Sequence, residues 1–544
     1  MKNIKSIHFF ILIFVFSVSA LAQNVKENLS QQTFLINQVS EDVEEYYMRF
    51  PDSKFHSSLK PYSNSTIYSF LDSTSQYSTL GFTPSNFPRK KKSSEKWNNA
   101  LNVIPIADAS GGFDFLSNRV LYESTLGLNI RGNFGKQVSY SLLALGGYTV
   151  LPNFTDTLVK EFGILPGQGI AYRNVKSGTD LKSQELYSFA NLSGYISWSP
   201  QPFFQLQLGK DKLFLGDGYR SLLLSDVSNN YPYFKASASF WKIKYDVWYS
   251  WMRDVSQSGG FKDKFLNKFG AFHYLSWNAT KWLNISLFEN VIWQGEDSNR
   301  VRYFDVNYLN PAIFFRPVEY ALGSSDNAMM GMNLSIRPFK SLKIYSQLVL
   351  DEFLLKQVRE RKGWWANKQG IQAGWIYYNT FRIPGLDFRG EWNWVRPYTY
   401  SHGSPQQSYT HFNQPLAHPL GANFTEYLAA IHYTKKRLRV EMKFIYAMIG
   451  KDTAGISGSN VGQNIFLSYL SRPYDFGHYT GQGIKTTLLQ GDFKVTYLLF
   501  PSINMRAELG YIQRSLSNER GFMRQTPYIF FGIRTGLYNR YRDY

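Results

Sequence analysis

Apolar and polar residues alternate along most of the chain with a period of two. In residues 241–251 every odd position is apolar, whereas the even positions include two lysines, an aspartate and a serine. The same alternation recurs in residues 126–131, 438–448, 493–499 and 503–511. Successive side chains of a strand point to opposite faces, so each run predicts a β-strand with one apolar face. Runs of about ten residues have the length that a tilted strand needs to cross a bilayer.

The connections between these predicted strands differ in length. Some are very short, at residues 199–202, 279–281 and 338–341. Others are long and rich in Gly, Ser, Asn, Asp and His, at residues 256–268, 295–302, 398–423 and 451–464. Short turns at one rim and long loops at the other are typical of outer-membrane barrels, whereas a soluble propeller would repeat every ~40 to 50 residues. We therefore predict an all-β fold in which residues 104–544 form a transmembrane, outer-membrane antiparallel β-barrel of about 16 to 18 strands.

The two faces of such a barrel carry different chemistry. The charged residues of the alternating runs are expected in the lumen, because a lipid-facing charge at mid-depth costs about 2 to 4 kcal/mol. Aromatic residues at the ends of runs are expected to form interfacial girdles: Trp198, Trp241, Trp251, Trp282 and Trp293. The last run, residues 529–537, is followed by Tyr544. That ending resembles the carboxy-terminal aromatic signal by which barrel proteins are recognised for insertion.

The first 103 residues follow a different pattern. A short basic start and an apolar run precede the small residues Ala20 and Ala22, which fit the cleavage pattern, so residues 1–22 predict a secretory signal peptide. The alternative, an uncleaved anchor helix, would need a longer apolar run. Residues 23–103 are polar and predict a periplasmic segment that is partly helical, with the helix at residues 27–49. The basic cluster at residues 89–92 is interpreted as a solvated linker, with phosphate binding as the alternative.

Composition narrows the class of protein. The chain has 544 residues, of which 17% are aromatic, a net charge of +19 and no cysteine; its mean hydropathy is −0.31. Such an aromatic content argues against disorder. The lack of cysteine excludes a disulfide scaffold, a cysteine-ligated metal and a cysteine nucleophile. Nucleic acid is a poor partner for an exported protein, so the positive charge favours anionic surface glycans and lipopolysaccharide phosphate.

Three stretches are more specific than strand alternation requires. The first, residues 209–232, has a glycine-rich turn and an Asn-Asn pair. The second, residues 308–331, has an Asn-Pro and an Asp-Asn pair. The third, residues 391–423, is rich in Trp, Tyr, His, Asn and Pro. With residues 56–62, these stretches resemble the capsule-assembly Wzi superfamily of outer-membrane barrels, and most closely its branch of RemB-type gliding-motility proteins.

The resemblance implies an 18-stranded barrel with a small helical periplasmic element. It implies a cell-surface lectin that holds capsular or extracellular polysaccharide and, for the gliding branch, a part in surface adhesion and movement, with motility or secretion machinery as partners. Where Wzi proteins tend to show a Trp-Gly-Pro-Gly turn, this chain has Phe-Leu-Gly-Asp-Gly at residues 214–218.

The candidate binding residues lie in these three stretches. Sugars present an apolar ring face and many hydroxyls, so a site needs aromatic platforms beside hydrogen-bonding side chains. The polysaccharide site is predicted to draw on Asp217, Tyr219, Arg220, Asn229, Asn310, Asp326, Asn327, Trp392, Trp394, Arg396, Tyr398, Tyr400, His411, Asn413 and His418. For each aromatic residue, a place in a girdle or in strand packing is the competing interpretation.

The same stretches argue against catalysis. The spacings of nine and seven between His402, His411 and His418 fit no common metal-ligand motif. Neither Gly-x-Ser-x-Gly nor His-Glu-x-x-His occurs. The adjacent pair Asp351-Glu352 would point to opposite faces of a strand, which does not suit a two-carboxylate glycosidase. We therefore expect a binding protein with no cofactor, metal or catalytic residue; the alternative is a porin or uptake channel for small solutes.

Overall fold

The computed structural model describes residues 33–34, 37–49, 54–63, 100–135, 137–169, 172–174, 185–256, 258, 262–296, 303–313, 326–453, 459–500 and 503–544. The predicted signal peptide and the basic cluster lie outside these residues. No helix in the described part of the chain is long and apolar enough to cross a bilayer.

Within the described ranges, 18 antiparallel strands form a closed barrel. They are β1 Ala100–Asp114, β2 Arg119–Phe134, β3 Val138–Val150, β4 Leu186–Gln201, β5 Phe204–Asp211, β6 Tyr231–Phe240, β7 Ile243–Asp254, β8 Leu266–Trp277, β9 Leu283–Gln294, β10 Asn327–Phe339, β11 Leu342–Glu352, β12 Lys368–Tyr377, β13 Leu386–Val395, β14 Phe424–Lys435, β15 Leu438–Lys451, β16 Ile484–Phe500, β17 Met505–Asn518 and β18 Met523–Thr535. The predicted fold and strand number are confirmed.

Each strand pairs with its sequence neighbour, and β18 pairs with β1 to close the ring. Short turns lie at one rim, which we call the inner rim, as at residues 202–203, 241–242, 340–341 and 436–437. The long connections begin and end at the other rim, the outer rim; they span residues 151–185, 212–230, 295–326, 353–367, 396–423 and 452–483. Short turns face the periplasm in such barrels, so the outer rim faces the outside.

Among the described residues, three helices and a few short elements lie outside the barrel wall. The helices are α1 Asn37–Arg49, before the barrel, α2 Asn153–Phe162 and α3 Leu355–Glu360. Single turns of 3₁₀-helix are found at Lys262–Lys264, Val306–Leu309, Thr380–Arg382, Pro405–Gln407 and Tyr469–Ser471. Short strands are found at Thr33–Phe34, Leu59–Lys60, Tyr62–Ser63, Tyr172–Asn174, Phe214–Leu215, Thr410–His411 and Gln414–Pro415.

The alternation of β15 matches the two faces of the wall. Leu438, Met442, Phe444 and Met448 are exposed on the outside, where lipid covers them. The lumen-facing residues of its inner half are charged, as predicted: Arg439, Glu441 and Lys443. Those of its outer half are buried and apolar: Ile445, Ala447 and Ile449. The outer half of the lumen is therefore a packed core rather than the polar space that the sequence predicts.

The core forms because residues 212–230, which we call the inner loop, fold into the lumen from the outer rim. Leu222, Leu223 and Leu224 are fully buried and belong to the same apolar cluster as Trp248 and Phe272 of the wall. The rings of Trp248 and Phe272 are stacked, with centroids 5.0 Å apart. Aromatic residues thus line the lumen as well as the lipid-facing wall.

The segment before the barrel meets the inner loop from the opposite side. Leu59–Lys60 pairs antiparallel with Phe214–Leu215. The amide of Gly216 donates a 2.7 Å hydrogen bond to the carbonyl of Ser58. Helix α1 occupies the second half of the predicted helical range, and its Glu44 forms an ion pair with Lys343 of β11. The segment therefore lies in the inner mouth of the barrel.

Two expectations about the wall need correction. Trp198, Trp241, Trp251 and Trp282 are exposed at strand ends, but Trp293 is buried because residues 303–313 fold down against the outside of the wall. The last strand ends at Thr535 rather than at residue 537, and residues 536–544 turn into the lumen. Tyr544 therefore is not a wall residue: the charged residues before it form ion pairs inside the barrel that lipid could not provide.

Candidate functional site

A cavity opens in the outer half of the lumen, and we call it the outer cavity. It has a volume of about 250 Å³. Helix α2, residues 413–421 and residues 463–466 form its sides, while β15, β17 and β18 supply the wall of the barrel. All of these segments lie at or near the outer rim, so the cavity is the part of the lumen that is nearest to the outside.

Helix α2 supplies an apolar side of the outer cavity. Phe154, Leu158 and Phe162 are four residues apart, which places them on one face of a helix. The helix begins where the Asp114 carboxylate accepts a 2.6 Å hydrogen bond from the amide of Asn153. A carboxylate at this end of a helix is favourable because the first amides have no partner within the helix.

Aromatic rings from two loops meet at the cavity. The rings of Phe162 and Phe466 have centroids 5.6 Å apart and planes inclined at 47°. Both side chains are half-buried, so part of each ring surface faces the cavity. Such a surface can pack against the apolar face of a sugar ring.

Three cationic side chains line the same cavity: Lys451, Arg514 and Arg524. Arg524 donates a 3.0 Å hydrogen bond to the Thr157 hydroxyl of α2. The Arg514 guanidinium lies 4.8 Å from the ring centroid of Phe154 and donates a 2.6 Å hydrogen bond to Gln490. Glu161 is the one acidic residue among the described lining residues. The cavity thus combines aromatic surface with an excess of positive charge.

Amide side chains fix the loops around the cavity. Asn413 donates a 3.1 Å hydrogen bond to the carbonyl of Phe162, at the end of α2. Gln414 accepts from the amide of Gly167 at 2.7 Å and donates to the carbonyl of Gln168 at 2.8 Å. Asn413 is the only one of the predicted site residues among the described lining of this cavity.

The predicted residues of the inner loop lie in buried ion-pair networks. Asp217 contacts Lys343, Ser57 and Asn333. Burial alone would raise the pKa of Asp217, but the Lys343 ammonium holds that pKa below its usual value. Tyr219 donates a 2.9 Å hydrogen bond to Asp543, and Arg220 pairs with Asp543 at 3.2 Å and with Glu426 at 3.4 Å. Asn229 is also buried, with its side-chain oxygen bonded to the amide of Asn230.

The third stretch folds inward and packs on the inner loop. The hydroxyl of Tyr400 donates to the carbonyl of Leu222, and that of Tyr398 donates to the carbonyl of Asn460, both at 2.8 Å. Both tyrosines are fully buried. Arg396 donates from Nε to the carbonyl of Asn367 at 2.8 Å. These side chains tie the outer loops to each other, and the two tyrosines have no exposed ring face for a sugar.

The histidines of this stretch are buried separately. His411 accepts a 3.0 Å hydrogen bond from the amide of Arg253, and His418 lies 2.8 Å from Glu426. Burial lowers the pKa of His411 to about 3 and that of His402 to about 4, so both are neutral at pH 7. No group of three or more His, Asp or Glu in the described part of the chain is arranged to hold a metal ion.

The remaining predicted residues lie away from the outer cavity. Trp392 and Trp394 alternate with the buried, lumen-facing Glu391, Asn393 and Val395, so they lie on the lipid-facing wall. Asp326 accepts from Tyr308 at 2.8 Å and from Gln407 at 3.0 Å, while Asn327 donates to the carbonyl of Gln407 at 2.9 Å. Asn310 is exposed within residues 303–313, which lie on the outside of the wall and which we call the covering segment.

The fold brings the first and third predicted stretches together, but as the packed interior of the barrel. The Glu426 carboxylate contacts both the Arg220 guanidinium and the His418 ring, and the Tyr400 hydroxyl donates a hydrogen bond to the carbonyl of Leu222. Five lining residues are not among the predicted site residues: Phe162, Phe466, Lys451, Arg514 and Arg524. The one signal for them in the sequence is the four-residue spacing of Phe154, Leu158 and Phe162, which departs from the alternation of the strands around it.

The fold is similar to that of known outer-membrane barrels. The chain aligns with Wzi of Escherichia coli, described as an outer-membrane protein involved in group 1 capsule assembly and as a carbohydrate-binding β-barrel, with a TM-score of 0.53 and 12% identity over 92% of this chain and 98% of Wzi. It also aligns with OprD of Pseudomonas aeruginosa (TM-score 0.42, 11% identity, 81% and 96%) and with OccK5 of the same organism (0.40, 10%, 79% and 97%). No protein-family model and no curated protein matches the sequence. The likeness to Wzi confirms the expected fold.

Proposed function

We propose that this outer-membrane barrel binds anionic capsular or extracellular polysaccharide at the cell surface, through the outer cavity. The observation that carries the proposal is the joint presence of Phe162, Phe466 and three cations in a cavity near the outer rim. The chemistry matches acidic sugars: the rings contact the apolar face of a sugar, and Lys451 or Arg524 binds its carboxylate, sulfate or phosphate. The carbohydrate binding of Wzi, which has a similar fold, supports the same function.

The size of the cavity limits the ligand. Cavities that enclose drug-sized molecules measure about 300 to 1,000 Å³, whereas the outer cavity measures about 250 Å³. It therefore suits a chain end or a side branch of a polysaccharide rather than a long stretch of it. The rest of the glycan, and lipopolysaccharide around the barrel, would contact the loops of the outer rim.

We further propose that glycan binding serves surface adhesion or gliding motility, with motility or secretion machinery as protein partners. The sequence resemblance to the RemB-type branch is the ground for this step. Deletion of the gene should reduce spreading on a surface while uptake of small solutes stays unchanged. Normal spreading of the deletion strain would contradict the role in movement and leave glycan binding intact.

The alternative function, a porin or uptake channel, has less support. The inner loop and the segment at residues 54–63 meet inside the lumen, and Leu222–Leu224 pack against the wall there. We therefore expect wild-type protein in planar bilayers to give no large, stable current steps. Such steps without retention of polysaccharide would favour the porin.

Retention of purified protein on immobilised acidic extracellular polysaccharide tests the proposed site. The variant Lys451→Gln, Arg524→Gln should lose retention, and wild-type retention should weaken as salt rises, because charge carries the recognition. Arg520→Gln removes a positive charge from an exposed turn of the outer rim and should retain the glycan. Trp392→Ala should also retain it, because Trp392 faces lipid. Equal loss in the Arg520 and Lys451/Arg524 variants would show a general charge effect and overturn the assignment of the site.

A further inference from the structure

Residues 536–544, which we call the luminal segment, run along the inside of the barrel after the last strand. Asn539 and Tyr541 both donate 2.7 Å hydrogen bonds to Asp226 of the inner loop. Tyr538 donates a 2.7 Å hydrogen bond to Asp108 of β1, and Arg540 forms an ion pair with Glu123 of β2. The segment is thus held both by the inner loop and by the wall.

The outermost part of the luminal segment is held by positive charge. Asp543 is almost fully buried and contacts Arg220 at 3.2 Å, Lys443 at 2.8 Å and the Tyr219 hydroxyl at 2.9 Å. Arg514 donates a 2.8 Å hydrogen bond to the main-chain oxygen of Tyr544. Three basic side chains of the inner loop and the wall therefore converge on two residues of the segment.

The luminal segment separates three cavities. The outer cavity adjoins a middle cavity of about 200 Å³, and both are lined by Pro166 and Tyr544. A third cavity of about 190 Å³ lies toward the inner rim, where Glu41, Arg439 and Arg506 line it. The middle and inner cavities share residues 538–542 as lining. Tyr544 thus lies between the outer and middle cavities, and residues 538–542 lie between the middle and inner cavities.

We propose that the three cavities are parts of one passage through the barrel and that the luminal segment is its stopper. This function goes beyond glycan binding: when the segment leaves, the barrel conducts small solutes. The inner loop packs mainly against β6–β16 and lines the middle cavity only with Lys212, Asp226 and Asn230, whereas that cavity otherwise lies against β2–β5. Helix α1, in the inner mouth, contacts β10, β11, β13 and β15, and the inner cavity extends beyond it along β16–β18. Residues 539–544 are held mainly by hydrogen bonds and ion pairs, which can break and re-form as this part moves, whereas Leu537 stays packed in an apolar cluster with Ile104 and Ile503.

The segment contacts charges of both signs. Without Asp543, Arg220 is still paired with Glu426, Lys443 with Asp492 at 2.9 Å, and Arg514 with the neutral Gln490. Without Arg540, Asn539 and Tyr541, Glu123 and Asp226 lose the partners described above. The open passage would therefore be lined by polar and charged groups, which suits hydrated ions of small size.

Single-channel recording in planar bilayers tests the stopper. We expect no current steps from wild type and stable current steps from a variant lacking residues 536–544. The full-length variant Asp543→Lys should also release the luminal segment, because Arg220 and Lys443 repel a lysine at this position. The matched control Asp543→Asn keeps a hydrogen-bond acceptor for Tyr219 and should stay closed.

Folding of each variant is checked by its heat-dependent shift on a denaturing gel, and glycan retention is measured on the same samples. If the shortened protein does not fold, the current through the full-length Asp543→Lys variant tests the proposal. A folded Asp543→Lys or shortened barrel that is as silent as wild type overturns the proposal, and so does a wild type that conducts equally. If the wild type is silent and the variants conduct, but the wild type does not retain the glycan, the result would count against the proposed function alone.

Discussion

The hydroxyl of Tyr400 donates a 2.8 Å hydrogen bond to the carbonyl of Leu222. Next to it the hydroxyl of Tyr409 donates to the carbonyl of Leu223 at 2.7 Å, and the two tyrosine rings are stacked with centroids 5.8 Å apart. Both acceptors belong to the three fully buried leucines of the inner loop. Two segments almost 180 residues apart in sequence are therefore joined by paired, fully desolvated hydrogen bonds.

Tyr400→Phe should lower the free energy of unfolding by about 1 to 3 kcal/mol, because the buried carbonyl of Leu222 loses its partner. Tyr303→Phe is the matched control, since the Tyr303 side chain is 80% exposed. Denaturant unfolding in detergent, followed by tryptophan fluorescence, measures both changes. Equal values for the two variants would show that the bond to Leu222 contributes nothing to stability.

Lys343→Met should loosen the segment before the barrel. Lys343 lies between two buried carboxylates, at 2.9 Å from Glu44 and in contact with Asp217. Removing one member of a buried ion pair costs about 3 to 5 kcal/mol because the other charge is left without compensation. Limited proteolysis should cut the segment faster than in wild type. The double variant Lys343→Met, Asp217→Asn leaves fewer buried charges and should recover part of the protection.

The same cluster predicts a loss of stability in acid. Burial alone would raise the pKa of Glu44 and of Asp217, but Lys343, together with Lys60 for Glu44, holds both below their ordinary values of 4.5 and 3.8. Lowered carboxyl pKa values stabilise the fold above those ordinary values, and the stabilisation is lost as the pH falls below them. The midpoint of thermal unfolding should therefore fall steeply below about pH 4.

Asp42 lies on helix α1 together with Glu44, but it should change the stability of the fold with pH in the opposite direction. Burial raises its pKa to about 7, with Arg439 opposing the shift. Ionising Asp42 in the folded state is unfavourable, so its contribution to stability falls as the pH rises from about 4 through 7. Asp42→Asn should flatten the profile in that range and leave the acid loss in place. An unchanged profile between pH 5 and 7 would contradict the assignment.

Gly462→Ala should disturb the packing of the outer loops. Gly462 has φ +82°, and a Cβ atom there would lie 2.4 Å from the amide nitrogen of Tyr398. Gly135 at the inner rim has φ +60° but nothing within 4 Å, which makes Gly135→Ala the control for the backbone effect alone. We expect the control to cost about 1 kcal/mol and Gly462→Ala up to about 3 kcal/mol. Equal costs would show that the loop around Tyr398 can shift freely.

Phe444→Arg should destabilise the barrel through the membrane rather than through packing in the lumen. Phe444 lies midway along β15 and is exposed on the outside of the wall. Arginine at mid-depth on the lipid face costs about 2 to 4 kcal/mol, whereas Phe444→Leu keeps the face apolar. Refolding yield into lipid vesicles measures the difference between the two variants. Equal yields would mean that this part of the wall does not face lipid.

The period-two alternation was sufficient to predict the barrel, because one face of every strand must meet hydrocarbon. In β15 it separates the exposed Met442 and Phe444 from the lumen-facing Glu441 and Lys443. Alternation indicates only that the second face of each strand, the lumen-facing one, does not contact lipid. It cannot tell whether a lumen residue such as Ile445 meets water or a loop folded inward.

The site was harder to predict for the same reason. Tyr398, Tyr400 and His411 have the composition of a sugar site, yet each is buried against a segment distant in sequence. Trp392 lies on the lipid-facing wall, the competing interpretation for the aromatic residues, because its neighbours Glu391 and Asn393 face the lumen. Arg514 and Arg524 could not be predicted as site residues, because only the folding of α2 over the lumen brings them to the outer cavity.

One sector of the barrel has two protein layers between lumen and lipid. His273 and Glu289 point outward from β8 and β9 but are buried. The covering segment lies against the same sector: Tyr308 packs on Trp293, and the carbonyl of Pro311 accepts a 2.7 Å hydrogen bond from Tyr245, whose hydroxyl also contacts His273. The hydrocarbon there meets Tyr303, Val306 and Leu309 of the covering segment, which are all exposed. The covering segment thus separates this sector of the wall from lipid. Ionisable residues can therefore occupy the wall at a depth where direct contact with lipid would exclude them.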